Sequence, residues 1–296
     1  MIQFSKVTMP VADLPYPSIP EFLSARFPAI SRGVWERRIL DGKVCDEEGH
    51  PVTLHSPYRP GKRLFYRREV DREPVIPFRE RILYQDDHLL VCCKPHFLPV
   101  NPTGPYVAEC LMNRLRNSTG NPELVPVNRI DRETAGIVLF SANRSTRDAY
   151  CRLFREGNVE KLYEAIAPCR ELPEVRQWLV ETRIVPGDPW FRMRNVEGEP
   201  NARSVIRLDA VKEGRGRFLL RPVTGKTHQL RVHMSGLGFA IENDRFYPEL
   251  QPEREDDFAR PLQLIAREVR FTDPVSGGER VFRSERELLA AAAPSP

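Results

Sequence analysis

The apolar residues of this chain come in short runs, each closed by a turn rich in polar residues, glycine or proline, and none approaches the roughly 20 residues needed to cross a bilayer. The runs in RILYQDDHLLVCCKP (81–95), GIVLFSA (136–142), KLYEAIAP (161–168), ARSVIRLDAV (202–211), RFLLRPVT (217–224) and LQLIAREVRF (262–271) read as strands, the first as a pair joined by a polar turn. Helical spacing of apolar positions marks 106–116 and STRDAYCRLFREG (145–157), which Gly157 closes. THQLRVHMSGLG (227–238) reads as a helix opened by Thr227, with Leu230, Met234 and Leu237 on one face. Strands with interspersed helices make a mixed α/β or α+β domain. The 28 prolines fit many sharp or extended connections, and the N-terminus lacks the apolar core of a secretion signal.

Residues 1–75 differ from the rest and are read as a separate module, with 76–296 as the second domain. The first segment holds 12 Lys/Arg against 10 Asp/Glu, but its cations gather in two groups. One is Arg32, Arg37, Arg38 and Lys43, on and after a helix capped by Ser31, with Val34, Ile39 and Leu40 on its apolar face and Gly42 at its end. The other is Arg59, Lys62, Arg63, Arg67, Arg68 and Arg72. Val44, Val52 and Leu54 mark short strands around the turn DEEGH, and VDREPVIPF (70–78) reads as a linker. A solvated face is the ordinary explanation of such charge clusters. The net charge of +4 permits a polyanionic partner without demanding one. None of the six cysteines forms a C-x-x-C pair, and the adjacent Cys92 and Cys93 would point to opposite faces of a strand. Reduced thiols in the cytoplasm are expected, with no metal site.

Three segments carry chemistry. In VNRIDRETAGIVLFSA (127–142), Asp131 stands between Arg129 and Arg132, just before a small-residue turn and a buried strand. A carboxylate on a turn beside a rigid strand is well placed to act on a substrate, and neighbouring guanidiniums favour its ionised form. A structural Arg–Asp turn would look the same. In RPVTGKTHQLRVHMSGLG (221–238), Gly-Lys-Thr resembles part of a P-loop, but the glycine required five residues before Gly225 is Leu220, so nucleotide binding is rejected. His228 and Arg231 share a helical face, and the five-residue spacing of His228 and His233 does not suit a helical metal pair. Tyr163, beside Lys161 on a strand, is either core or a platform for a base.

Taken in order, NRIDRETAG, KLYEA and TGKTHQLRVH resemble the motifs of the RluA-type RNA pseudouridine synthases, with support from ILYQDDHLLVCCKP, GEPNARS and LQLIAREVRFTDP, over about residues 76–285. FLSARFPAISRGVWERRILDGKV resembles the small S-four-like RNA-binding module often attached to such enzymes, although its Glu-Glu-Gly-His turn departs from the usual Asn-Gly. The resemblance implies an α+β protein. It would have a mixed, largely antiparallel catalytic sheet with flanking helices and a small N-terminal α/β RNA-binding module.

It also implies a cofactor-free isomerase that acts on ribosomal or transfer RNA, cutting the bond from uracil to ribose, turning the base and rejoining it through C5. Asp131 would start the reaction, Arg231 would pair with it, Tyr163 would stack on uracil and assist proton removal, and Arg129 would hold the nucleotide out of its stack. Arg32, Arg37, Arg38 and Lys43 would hold RNA, and the protein would be a monomer. Asn128 and Ala135 stand where the family has histidine and serine, and Ile265 where a histidine is common, so altered support around Asp131 is expected. Two alternatives remain: an RNA-binding protein that kept the fold without catalysis, and a hydrolase with paired carboxylates. For the hydrolase, Glu133 is the only nearby second acid, and its position suggests that it points elsewhere.

Overall fold

A computed structural model describes residues 4–11, 16–28, 30–67, 73–252 and 254–288. The chain divides into two compact units, Met1–Arg72 and Glu73–Pro296.

In the first unit, β1 (Phe4–Thr8) is followed by α1 (Ile19–Arg26), α2 (Arg32–Leu40), β2 (Val44–Cys45) and β3 (Arg63–Arg67). The strands form an antiparallel sheet in the order β1-β3-β2. Val52 and Leu54 lie outside the strands, where a single bridge from Cys45 to Pro51 ends the ladder. The buried face of α2 is Trp35, Arg38 and Ile39, while the expected Val34 and Leu40 face solvent. Trp35 takes the interior because it is the largest apolar side chain on the helix, and positions three and four residues on share its face.

The second unit runs β4 (Arg81–Gln85), β5 (Leu89–Lys94), α3 (Leu111–Thr119), β6 (Val125–Pro126), β7 (Ala135–Ser141), α4 (Arg147–Arg155), β8 (Glu160–Pro168), β9 (Gln177–Pro186), β10 (Met193–Val196), β11 (Ala202–Lys212), β12 (Arg215–Pro222), α5 (Gln229–Gly236), β13 (Leu264–Thr272) and β14 (Glu279–Arg283). Its sheet follows the order β10-β9-β11-β12-β8-β13-β7-β5-β4, with β14 beside β13 and β6 beside β7. Among the described strands every pairing is antiparallel except β7 with β13.

Strand periodicity sorts the core. On β5 and β7, Leu90, Cys92, Val138 and Phe140 pack with Leu111, Met112 and Leu115 of α3, while Leu89, Val91, Ile137 and Leu139 pack with Tyr150 of α4. Cys92 and Cys93 accordingly face opposite sides, Cys93 against Ser284. All six cysteines are free.

The helix expected over 106–116 begins at Leu111 instead. The amides of Val107, Ala108 and Glu109 donate to the Glu73 carboxylate, which holds that stretch out of the helix. The end of the expected linker is docked as well, since Ile76 is buried in the core of this unit.

The β7–β13 pairing is the seam that positions the site. It comprises Ile265 opposite Ala135 and Ala266 opposite Gly136. Gly136 has φ +114°, and a Cβ there would lie 2.2 Å from the Ala266 carbonyl oxygen. A glycine is what lets the two backbones meet.

Candidate active site

Asp131 lies on the loop between β6 and β7, whose neighbouring residues are tied inward. Val127 N–H donates to Leu139 O at 2.8 Å, and Leu139 N–H donates to Asn128 Oδ1 at 2.8 Å, so Asn128 joins the loop to β7. Lys94 is fully buried, and its Nζ donates to Pro95 O, Leu98 O and the loop's Arg132 O at 2.9, 2.7 and 3.0 Å. Burial pushes Lys94 down to about 7, against the pull of Glu133 and Asp131. The Arg132 guanidinium forks onto Asp256 at 2.7 and 3.0 Å, and His96 Nδ1 meets Glu133 O at 2.6 Å. The Asp131 side chain, 25% exposed, lines a cleft of about 710 Å³. A side chain on a loop held this closely is pre-oriented toward the cleft.

Tyr163 reaches the same cleft from β8, where it pairs with Leu220 of β12 and Ala266 of β13. Burial, and then the charge of Asp131, push its phenol well above the usual tyrosine range.

Arg231 completes the group from α5. It is 1% exposed, and its Nη1 donates to Asp131 Oδ2 at 3.3 Å across 100 residues of chain. Burial alone would lower its pKa, but Asp244, Asp131 and Glu133 outweigh it, and the guanidinium stays charged. The structure thus brings Asp131, Tyr163 and Arg231 to one cleft, with Arg129 exposed and lining it as well.

The helix carrying Arg231 starts later than expected. Thr227 and His228 precede α5, and His228 has φ +54°. Gln229 explains this: its Oε1 accepts Thr224 Oγ1 and Lys226 N–H at 2.7 and 3.0 Å, and its Nε2 donates to Arg203 O and Ser204 Oγ at 2.9 and 2.8 Å. The preceding loop is wound around that amide. His228 still reaches the site, with Nε2 4.0 Å from Asp131 Oδ2 and Nδ1 3.0 Å from Tyr247 Oη. Burial lowers its pKa, opposed by Asp131.

Two further acids stand behind Arg231, and one of them, Asp244, was missed in the sequence. Asp244 grips Arg231 with both oxygens, 2.7 Å from Nε and 2.6 Å from Nη2, and its Oδ1 also accepts the amides of Phe246 and Tyr247. No periodicity marks an acid in an irregular segment 13 residues after its partner. Glu133, as expected, does not line the cleft of Asp131 but a neighbouring pocket with Arg132 and Asp256; it bonds Arg132 at 3.0 Å and comes within 3.9 Å of Arg231. Burial would raise its pKa, but Arg132 and Arg231 outweigh that and lower it. Both acids are committed to arginines, so neither is free to serve as the second carboxylate of a hydrolase.

In the first unit, Arg37 is exposed and Arg32 bridges Glu21 and Glu36 at 3.0 and 2.7 Å. Lys43 meets Asp41 at 2.8 Å. Arg38 departs from the expected surface position, being 8% exposed with its guanidinium 5.1 Å from the Trp35 ring centroid. Of the second basic group, Lys62 and Arg63 approach Glu47, and Arg68 and Arg72 lie outside the described residues. Among the described residues no cluster of three or more His, Cys, Asp or Glu could hold a metal ion, and no helix is long and apolar enough to cross a membrane.

The sequence profile of a family described as RNA pseudouridylate synthase matches residues 88–236. A dual-specificity RNA pseudouridine synthase RluA of Haemophilus influenzae is 31% identical over 224 residues, covering 73% of this chain and 96% of that protein. An RNA pseudouridine synthase of Synechocystis is 29% identical over 230 residues, 77% of this chain and 78% of that one. Among solved structures, human RNA pseudouridylate synthase domain containing 4 superposes with a TM-score of 0.54 at 25% identity, covering 71% of this chain and 89% of that one.

Proposed function

The chain belongs to the RNA pseudouridylate synthase family, and is therefore an isomerase of uridines in RNA; on that premise we propose that Asp131 is its catalytic carboxylate. The observation that carries this is the placement of Asp131 between the buried, permanently charged Arg231 and the neutral ring of Tyr163 in one cleft.

The reaction exchanges the ribose C1′–N1 bond for C1′–C5; N1 gains a proton and C5 loses one, so nothing is added overall. Asp131 acts on the ribose, at C1′ as nucleophile or at C2′ as base. Arg231 orients its carboxylate. Tyr163 lies under the uracil, and burial and the charge of Asp131 keep its phenol protonated, as a hydrogen-bond donor. Removal of the C5 proton by Tyr163 would have to follow a change in that environment. Arg129, Arg155, Lys161 and Lys226 line the cleft with Arg231 against Asp131 and Glu156, an excess of positive charge suited to phosphates around an extruded nucleotide.

The substrate is ribosomal or transfer RNA, in keeping with the dual specificity in the name of the Haemophilus relative. The first unit acts as an RNA-binding module through Arg32, Arg37 and Lys43, and the free thiols suit a cytoplasmic protein. The test is site-resolved mapping of pseudouridine in RNA incubated with the wild-type protein and with Asp131→Asn. The variant should fold, bind RNA and leave every uridine unchanged; modification at the wild-type rate would remove Asp131 from the mechanism.

A further inference from the structure

We propose that Trp190 is a nucleobase-stacking residue that holds a base flanking the target uridine, an inference that rests on the RNA-isomerase reading above. Trp190 is 84% exposed at the tip of the β9–β10 hairpin, whereas Trp35 is buried and Trp178 partly buried. It does not stand alone: Phe191 beside it is 38% exposed, so the hairpin tip presents a contiguous apolar patch rather than one scattered residue.

The loop that presents it is pinned. Gly187 N–H donates to Arg192 O at 2.8 Å, Arg192 N–H to Pro189 O at 2.9 Å, and Met193 N–H to Tyr247 Oη at 2.8 Å. The Arg192 guanidinium donates to Pro248 O at 3.0 Å and lies 5.3 Å from the Tyr247 ring centroid. The indole is therefore carried on a prepared platform.

Rings connect that platform to the catalytic carboxylate. Trp190 meets Phe191 at 5.9 Å between centroids, Phe191 meets Phe246 at 5.3 Å, and Phe246 meets His228 at 5.6 Å. His228 Nε2 is 4.0 Å from Asp131, and Phe246 also covers Arg231 at 4.9 Å. The exposed aromatic thus stands at the outer end of a continuous aromatic path that ends at the reacting group.

Charge selects the occupant. The hairpin, residues 177–196, holds Arg183, Arg192 and Arg194 against Glu181 and Asp188, and Arg192 and Arg194 stand within four residues of the indole. A flat π surface in a basic setting fits an unstacked base on a phosphate backbone. Extruding one uridine also leaves its neighbours in need of stacking partners.

The experiment compares the full-length protein with Trp190→Ala and Trp190→Phe. With in vitro transcribed ribosomal RNA, Trp190→Ala should raise KM roughly tenfold or more, in line with the loss of one base stack, while kcat stays within about twofold. Trp190→Phe should recover most of the KM. Tryptophan emission of the wild type should be quenched by oligouridine but not by an abasic chain of the same length, and the quenching should vanish in Trp190→Phe. An unchanged KM in Trp190→Ala, or equal quenching by the abasic chain, overturns the stacking and leaves the isomerase reading intact. A wild-type protein that is quenched by oligouridine yet makes no pseudouridine overturns the isomerase reading and leaves the stacking.

Discussion

Arg231 is held by Asp244 more tightly than by Asp131: two contacts at 2.7 and 2.6 Å bind it to the former, and one at 3.3 Å to the latter. The fork on Asp244 fixes the plane of the guanidinium, and that plane aims the remaining nitrogen at the Asp131 carboxylate.

Asp244→Asn should therefore impair catalysis without touching substrate. One fork is lost and Arg231 keeps less opposing charge in a buried site, which costs about 3 kcal/mol of stability. The expected result is a fall in kcat of tenfold or more with a much smaller change in KM for RNA, measured alongside urea unfolding. An unchanged kcat would mean that Asp131 is oriented without this support.

Tyr163→Phe keeps the ring and removes the phenol. RNA affinity should stay within about twofold, and kcat should fall roughly 10²-fold or more if the hydroxyl takes part in proton transfer. Single-turnover rates at saturating RNA separate this from a purely stacking role, for which the rate would hold.

Gly136→Ala should break the seam between β7 and β13. The new Cβ would fall 2.2 Å from backbone oxygen, and φ +114° is itself hostile to a side chain. A loss of about 4 kcal/mol corresponds to a fall in Tm of roughly 8–16 °C for a unit of this size. A Tm within 2 °C of wild type, on the order of a 1 kcal/mol effect, would contradict the close approach.

Stability should fall as pH drops from about 6.5 toward 4.5. Burial depresses His96 and His233 from 6.5 to about 4. Above 6.5 neither the native nor the unfolded chain carries these protons. Below it the unfolded chain binds them and the native one does not, so native stability declines until about pH 4. Each histidine contributes on the order of 3 kcal/mol over the whole window. Urea unfolding at a series of pH values should show a shallower slope in His233→Gln; an unaltered slope would mean that His233 titrates normally in the fold.

Much of the catalytic unit was legible as local pattern. Apolar runs on β5, β7, β8, β11, β12 and β13 appear where their spacing placed them: β5 and β7, buried on both faces, are continuous apolar runs, whereas β11 and β12 alternate because one face is exposed. Asp131, Tyr163 and Arg231 were picked out by the motifs around them rather than by any visible proximity. The misses share a different character. Helix α2 buries Trp35 and Arg38 rather than Val34 and Leu40, since packing against neighbours chose the face. Helix α3 starts late because Glu73 claims the amides before it, and α5 starts late because Gln229 holds its approach.

The sequence by itself determined the strands β5, β7, β8, β11, β12 and β13 and marked the side chains proposed for the chemistry, for both follow from residues close together in the chain. Only the tertiary structure decided that Asp244 anchors Arg231, that Glu133 turns inward and that His228 faces Asp131. Those partnerships depend on the path of the sheet, in which a parallel seam at Gly136 brings the loop of Asp131 beside β8 and β13, and no local periodicity encodes a contact between residues that far apart.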